Sequence, residues 1–305
     1  MFAEWHVSGK PKRVSAALVR GVNPGRIGGT ADRSSAAGIA ASAARGKSGL
    51  RAPADEMAKT FGAGSLEVWY QAKIATQTLD LRGAEALIRM RHPQLGIIAP
   101  AVFLPRMGHG LLPALSQFVI AQVLADWRYF LAARQPLDLS INLPISFLDD
   151  ATCFEYLCDQ LPDHPAFAGL ILEINGGEIA RDLAAAREFA RRARLRKLAI
   201  SVDRLGGEWT SLLQLRDFPF VEIKIEPELV TGCAHDRARQ TLCRHIVAAA
   251  NQFGARTVAV GVENHDDFLT AREIGFDLIQ GFLFARPMEV QAFVRSIGRN
   301  LTNPV

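Results

Sequence analysis

Several short apolar runs in this chain carry a polar residue at or near their carboxyl ends. Ser-Ile-Asn ends in Asn142, Leu-Ile-Leu-Glu-Ile carries Glu173, and Leu-Ala-Ile-Ser-Val-Asp ends in Asp203. Val-Glu-Ile-Lys-Ile carries Lys224, Thr-Val-Ala-Val-Gly-Val-Glu ends in Glu263, and Leu-Ile-Gln ends in Gln280. An earlier run adds Glu85 and Arg89. Carboxylates and an asparagine carbonyl suit a hard divalent cation such as Mg²⁺ or Mn²⁺, while arginine and lysine suit a phosphate. The implied chemistry is metal-assisted phosphoester chemistry or the binding of a phosphate ligand. Glu85, Glu173 or Asp203 taken singly would read as a solvated acid; as a set at the ends of apolar runs they do not. Lys224 also has a structural reading, as an ion-pair partner of Asp203 or Glu222, but its strand-end placement favours function.

Such residues need a scaffold that gathers them. From Ser65 onward, β-branched or Leu/Ile-rich runs alternate with stretches of helical period. The pattern predicts strands at 66–74, 84–90, 137–142, 170–174, 198–203, 220–225 and 256–262, with a short one at 278–280. Helices are expected at 114–133, 178–194, 237–253 and 266–274. Repeated strand–helix units predict an α/β fold, a parallel sheet closed into a (β/α)8 TIM-like barrel over residues 63–300, with an open doubly wound sheet as the alternative. A barrel of this kind places its chemistry at the carboxyl ends of its strands.

The 305 residues are 49% hydrophobic and 22% charged, a globular composition. The first 60 residues hold 10 basic and 4 acidic side chains, leaving 25 basic and 27 acidic in the remaining 245. The pI of about 9.0 therefore belongs to the N-terminal segment and gives no reason to expect nucleic acid as a partner. Residues 1–62 are rich in Ala, Gly, Ser and Arg and are expected to form a flexible tail. Gly25-Arg26-Ile27-Gly28-Gly29 lacks the strand and the Gly-Lys-Ser/Thr of a phosphate loop. This Arg-rich start resembles a transit peptide as much as the remnant of a lost upstream domain. No apolar run is long enough for a membrane span. Cys153, Cys158, Cys233 and Cys243 have neither redox nor zinc-ribbon spacing, which points to reduced thiols and a cytoplasmic protein. None of the seven histidines has paired-ligand spacing; His92 is expected to be structural. Trp69 and Trp209 would offer faces to a base, though packing is the commoner role, and Arg192, Arg194, Arg196 and Lys197 are expected to solvate a helix end.

The same residues fall within a longer series of motifs. Tyr70-Gln71 is followed by Glu85-Ala86-Leu87, Arg89, His92-Pro93, Phe103-Leu104-Pro105 and Asn142-Leu143. Then come Leu172-Glu173-Ile174, Asp203, Lys224-Ile225, Gly261-Val262-Glu263, Gln280-Gly281-Phe282 and Arg286-Pro287. In this order and spacing the chain resembles the EAL domain, the cyclic di-GMP phosphodiesterase barrel, over residues 65–297. The resemblance implies a first metal, Mg²⁺ or Mn²⁺, at Glu85, Asn142, Glu173 and Asp203. It implies ligand contacts at Gln71, Leu87, Arg89, Asp203, Lys224, Gln280, Arg286 and Pro287, and catalytic roles for Lys224 and Glu263.

The chain also departs from the family pattern. The two further carboxylates that hold a second metal in active relatives are replaced by Arg204 and Val260. The loop that orders that metal and supports dimers reads Asp203-Arg204-Leu205-Gly206-Gly207-Glu208, and a supporting glutamate is Gly176. Paired glutamates after the Phe-Leu-Pro motif are Gly108 and His109, and a Lys-Ile-Asp motif ends in Glu226. Two ions normally divide activation of water from stabilisation of the leaving oxygen, so loss of the second should cripple hydrolysis. The expectation is a degenerate EAL barrel that binds cyclic di-GMP, with one metal or none, as a receptor with little or no turnover, Lys224 and Glu263 then being vestigial as catalysts. A metal-dependent phosphodiesterase giving the linear dinucleotide and a nucleotide-free interaction scaffold are the alternatives. A protein partner is expected and a homodimer is open. Arg204 itself has two readings, a stand-in cation for a phosphate oxygen and a side chain turned to solvent.

Overall fold

The computed structural model describes residues 65–106, 109–133, 137–205 and 218–297. The expected tail at 1–62, Gly108, Gly206, Gly207, Glu208 and Trp209 lie outside the described residues, as does the side chain of His109. The strands are β1 (Ser65–Ala75), β2 (Leu81–His92), β3 (Gly96–Ile98), β4 (Asp138–Asn142), β5 (Leu170–Asn175), β6 (Leu198–Leu205), β7 (Glu222–Ile225), β8 (Arg256–Val260), β9 (Leu278–Gln280) and β10 (Met288–Glu289). The longer helices are α1 (Leu112–Ala132), α2 (Ala151–Gln160), α3 (Leu183–Arg194), α4 (Arg237–Gln252), α5 (His265–Ile274) and α6 (Val290–Ile297).

Eight strands close a ring in the order β1-β9-β8-β7-β6-β5-β4-β2, with β2 pairing back to β1. The strands from β2 through β4 to β9 run parallel, as expected. β1 does not: it is antiparallel to both β2 and β9. The reason is the connection. Only Thr76–Asp80 separates β1 from β2, and a parallel crossover needs a dozen residues or more, so the two strands fold as a hairpin. Its turn is closed by the Ala75 amide donating to the Asp80 carbonyl at 2.8 Å, with Leu79 at φ 58°. β3 and β10 extend β2 and β1 outside the ring.

Two other expectations change. The expected helix at 178–194 is two helices, Gly176–Arg181 and α3, because Asp182 turns to φ −141° and caps α3 by accepting from the Ala185 amide. The expected strand at 256–262 stops at Val260 because Gly261 takes φ +84°. His92 is structural as expected, its Nδ1 accepting from the Gln94 and Leu95 amides at 3.2 and 3.1 Å.

Strand alternation sorts side chains into two environments. Leu170, Leu172, Ile174, Ile223, Ile225 and Ile279 face outward and join Val119, Ile120 and Val123 of α1 in the main apolar core between ring and helices. Tyr70 of β1 lies in the same layer, its ring 5.2 Å from Phe130 and 6.1 Å from Phe293. The inward positions carry the polar residues described below. All four cysteines are unpaired, and burial pushes the thiols of Cys233 and Cys243 up to about 12 and about 11. No described helix is long and apolar enough to cross a membrane.

Candidate functional site

Six inward side chains from six strands meet at one mouth of the ring. Glu85 (β2), Asn142 (β4), Glu173 (β5), Asp203 (β6), Lys224 (β7) and Gln280 (β9) converge there because parallel registers stack strand ends: Asn142 faces Glu173, and Asp203 faces Asn175, two residues further along β5 on the same side. At the centre is the Lys224 ammonium, 2.6 Å from Glu173, 2.8 Å from Glu85 and 3.5 Å from Asp203. Glu85 also accepts from Asn142 Nδ2 at 2.7 Å and from Gln280 Nε2 at 2.6 Å. Gln280 donates to Gln71 as well, and Gln71 donates to the Ala285 carbonyl. Burial by itself would raise the Glu85 pKa, but Lys224 above all and then Lys73 hold it at about 2. Burial likewise opposes the charge on Lys224, and Glu173, Glu85 and Asp203 overcome it, holding the ammonium well above the usual lysine range.

Beneath the mouth the ring interior holds a file of alternating charges. Glu173 accepts from Lys73 at 2.8 Å, Lys73 donates to Glu222 at 2.6 Å, Glu222 accepts from Arg256 at 2.9 Å, and Arg256 reaches Asp138 at 2.6 Å. Lys73 and Glu222 are fully buried. Glu222 therefore pairs with Lys73 and Arg256, not with Lys224, while the expected Lys224–Asp203 pair is present. Sequence reasoning missed Lys73, Arg256 and Asp138; the signal was period-2 spacing, which puts Lys73 on the face of Gln71 and Glu222 on the face of Lys224.

The mouth opens into a cavity of about 500 Å³, lined on one side by Leu87, Ile88, Pro100, Leu104 and Val119. Its polar side carries Gln71, Glu85, Asn142, Asp203, Arg204, Lys224 and Gln280, with Glu226 and Glu228 after β7 and Val260 at the end of β8. Glu173 lies below Lys224 and is buried. Among the described lining residues Arg89, Glu263, Arg286 and Pro287 are absent. Arg89 is half-buried and donates to the Ile88 carbonyl at 2.8 Å, Glu263 is exposed, and exposed Arg286 stacks on Phe282 at 4.3 Å. Trp69 donates to Glu67 on β1.

Close backbone packing sets the far rim. A Cβ on Gly261 would lie 2.7 Å from that of Pro227, and one on Gly281 would lie 1.9 Å from the Val262 carbonyl oxygen. The Gly261 amide donates to the Gln280 carbonyl, so the turns after β7, β8 and β9 lock together and aim Glu226, Val260 and Gln280.

The donor set bears on a cation. Its ligating atoms are all oxygens, as a hard divalent ion requires. The described wall carries four carboxylates, Glu85, Asp203, Glu226 and Glu228, against Lys224 and Arg204, and the buried Gln280 Oε1 has no protein partner. In kind and in charge these residues fit a divalent cation. As the side chains stand, the oxygens of Glu85, Glu173 and Asp203 turn onto Lys224, and no three His, Cys, Asp or Glu side chains among the described residues are arranged to hold a cation.

The sequence profile of the EAL domain matches residues 54–287. The chain belongs to the EAL family. Cyclic di-GMP phosphodiesterase PA2567 of Pseudomonas aeruginosa is 33% identical over 221 residues, covering 72% of this chain and 38% of that protein. Cyclic di-GMP phosphodiesterase RocR of the same organism is 31% identical over 233 residues, covering 76% of this chain and 59% of that protein. This EAL chain thus spans less than two thirds of either relative. The solved structure of the PaMucR phosphodiesterase in complex with cyclic di-GMP superposes with a TM-score of 0.70 at 27% identity, over 80% of this chain and 97% of that one. The EAL barrel is thus the whole of what the described strands and helices build.

Proposed function

We propose that this EAL barrel binds cyclic di-GMP in the cavity above Lys224, with a single Mg²⁺ or Mn²⁺, and acts as a regulatory module with little or no phosphodiesterase activity. The single observation that carries the reading is that Arg204 and Val260 both line the cavity, where the resemblance expects the carboxylates of a second ion. A guanidinium repels a divalent cation and an isopropyl group cannot ligate one.

Glu85, Asn142, Glu173 and Asp203 would hold the single ion, which supplies positive charge against a phosphate oxygen. The protein's own part is binding and orientation. Gln280 and Asn142 fix the Glu85 carboxylate, Lys224 ties Glu85, Glu173 and Asp203 together, and the Leu87, Ile88 and Leu104 side supplies an apolar wall. Because the described wall carries two more carboxylates than cations, a dianionic nucleotide should bind weakly unless a divalent cation accompanies it. A protein partner is the expected reader of the bound state.

The names of the relatives favour a second reading, a cyclic di-GMP phosphodiesterase giving the linear dinucleotide. Arg204→Asp combined with Val260→Glu separates the two. Chromatography of cyclic di-GMP after incubation with Mg²⁺ should show no linear product from the wild-type chain and measurable product from the double variant. Rapid turnover by the wild-type chain would establish the enzyme reading.

A further inference from the structure

The two cations on the described cavity wall, Lys224 and Arg204, are not equivalent. Lys224 is 4% exposed and its ammonium faces three carboxylates at 2.6 to 3.5 Å. Buried and already faced by three carboxylates, of which Glu173 takes a hydrogen bond at 2.6 Å, the Lys224 charge is spent within the protein before an anion arrives. The Arg204 side chain is 74% exposed, and among the described residues its one acidic neighbour is Asp203 at 3.8 Å, beyond hydrogen-bond distance. Its guanidinium keeps its fork of donors for a guest, and that fork matches the geometry of a phosphate.

The backbone gives an independent argument. Arg204 sits at φ +57°, in the left-handed region. The other two non-glycine residues there among those described, Leu79 and Lys197, lie in turns between elements. Arg204 lies inside β6, where the register against β7 shifts between Val202 and Leu205. Such a bulge re-aims side chains, and its left-handed position favours glycine, so an arginine there costs stability. Strained residues of this kind cluster at ligand clamps and active sites, and this one stands at the wall of the cavity.

We infer that Arg204, not Lys224, is the anion-binding residue of this cavity, and that it takes the non-bridging oxygens of a phosphodiester. The inference rests on the cavity being the nucleotide site proposed above. The bulge carries the guanidinium out over the mouth, while Lys224 holds the carboxylates beneath it.

Arg204→Gly is the informative variant, because glycine removes the guanidinium and relieves the left-handed backbone together. Calorimetric titration with cyclic di-GMP at fixed Mg²⁺ should show at least a tenfold loss of affinity, with a thermal midpoint equal to or above that of the wild type. Arg204→Lys should recover part of the loss. A residue of merely structural importance would move stability and affinity down together. Affinity unchanged in Arg204→Gly would overturn the inference and leave the nucleotide site standing. A wild-type chain that gives no heat would contradict the nucleotide reading. Inorganic phosphate titrated into both proteins then decides on Arg204 alone: weaker binding to Arg204→Gly supports it, and equal or absent binding to both overturns it.

Discussion

Glu85 is a hub of the site, accepting from Asn142 at 2.7 Å and Gln280 at 2.6 Å and pairing with Lys224 at 2.8 Å. Its pKa falls from 4.5 to about 2 on folding. A folded-state pKa below the unfolded value gives stability that is present above pH 4.5 and lost as pH falls toward 2, about 3 kcal/mol in full. Urea denaturation of Glu85→Gln should therefore show a shallower decline than the wild type as pH falls below 4.5; parallel declines would mean that Glu85 is not held ionised. At this scale Asn142, Glu173, Asp203, Lys224 and Gln280 were legible, since each closes or nearly closes an apolar run, and Glu85 was legible as an acid within an early one. Lys73 and Arg256 were not. Alternation puts them on the inward face, but it does not reveal that this ring fills its interior with ion pairs, where a TIM barrel more often packs branched apolar side chains.

Among the elements, α1 is tied to β1 by Asp126, which accepts from Tyr70 at 2.8 Å and from Gln122 at 2.9 Å. Burial raises its pKa from 3.8 to about 6, against the lowering effect of those two hydrogen bonds. Here the folded value lies above the unfolded one, so the contribution is full below pH 3.8 and is lost as pH rises through 6, about 3 kcal/mol in all. Asp126→Asn keeps an acceptor for Tyr70 and should remove this slope between pH 4 and 6; denaturation curves that keep it would place the titration elsewhere. The turns at the rim respond differently. Gly281→Ala drives a Cβ into the Val262 backbone, and should lower stability by about 1–3 kcal/mol while displacing Gln280 and weakening nucleotide binding. An unchanged thermal midpoint would show that the turn gives way. Neither the glycine contacts nor the break at Asp182 was legible, because both depend on which backbones meet across the fold.

For the whole molecule, eight expected strands with helical stretches between them were enough to predict a closed barrel, and the ring has eight strands. What alternation could not report is strand direction. The five-residue link Thr76–Asp80 held that information, as a length too short for a crossover. The reversal of β1 matters to the site, because it sets Gln71 beside Glu85 in the hairpin register and sends Lys73 down into the ring interior. The resulting charge file, from Asp138 through Arg256, Glu222, Lys73, Glu173 and Lys224 to Glu85 and Asp203, ends in a surplus of acid at the mouth. That surplus is what a single divalent cation with a nucleotide would meet.

Binding without turnover is the central claim, and calorimetric titration of cyclic di-GMP with Mg²⁺ present, followed by chromatography of the recovered nucleotide, tests it most directly. The account predicts saturable heat, recovery of intact cyclic di-GMP, and a marked loss of affinity when Mg²⁺ is replaced by a chelator. Sustained heat with linear dinucleotide recovered, or no heat at all, would contradict it.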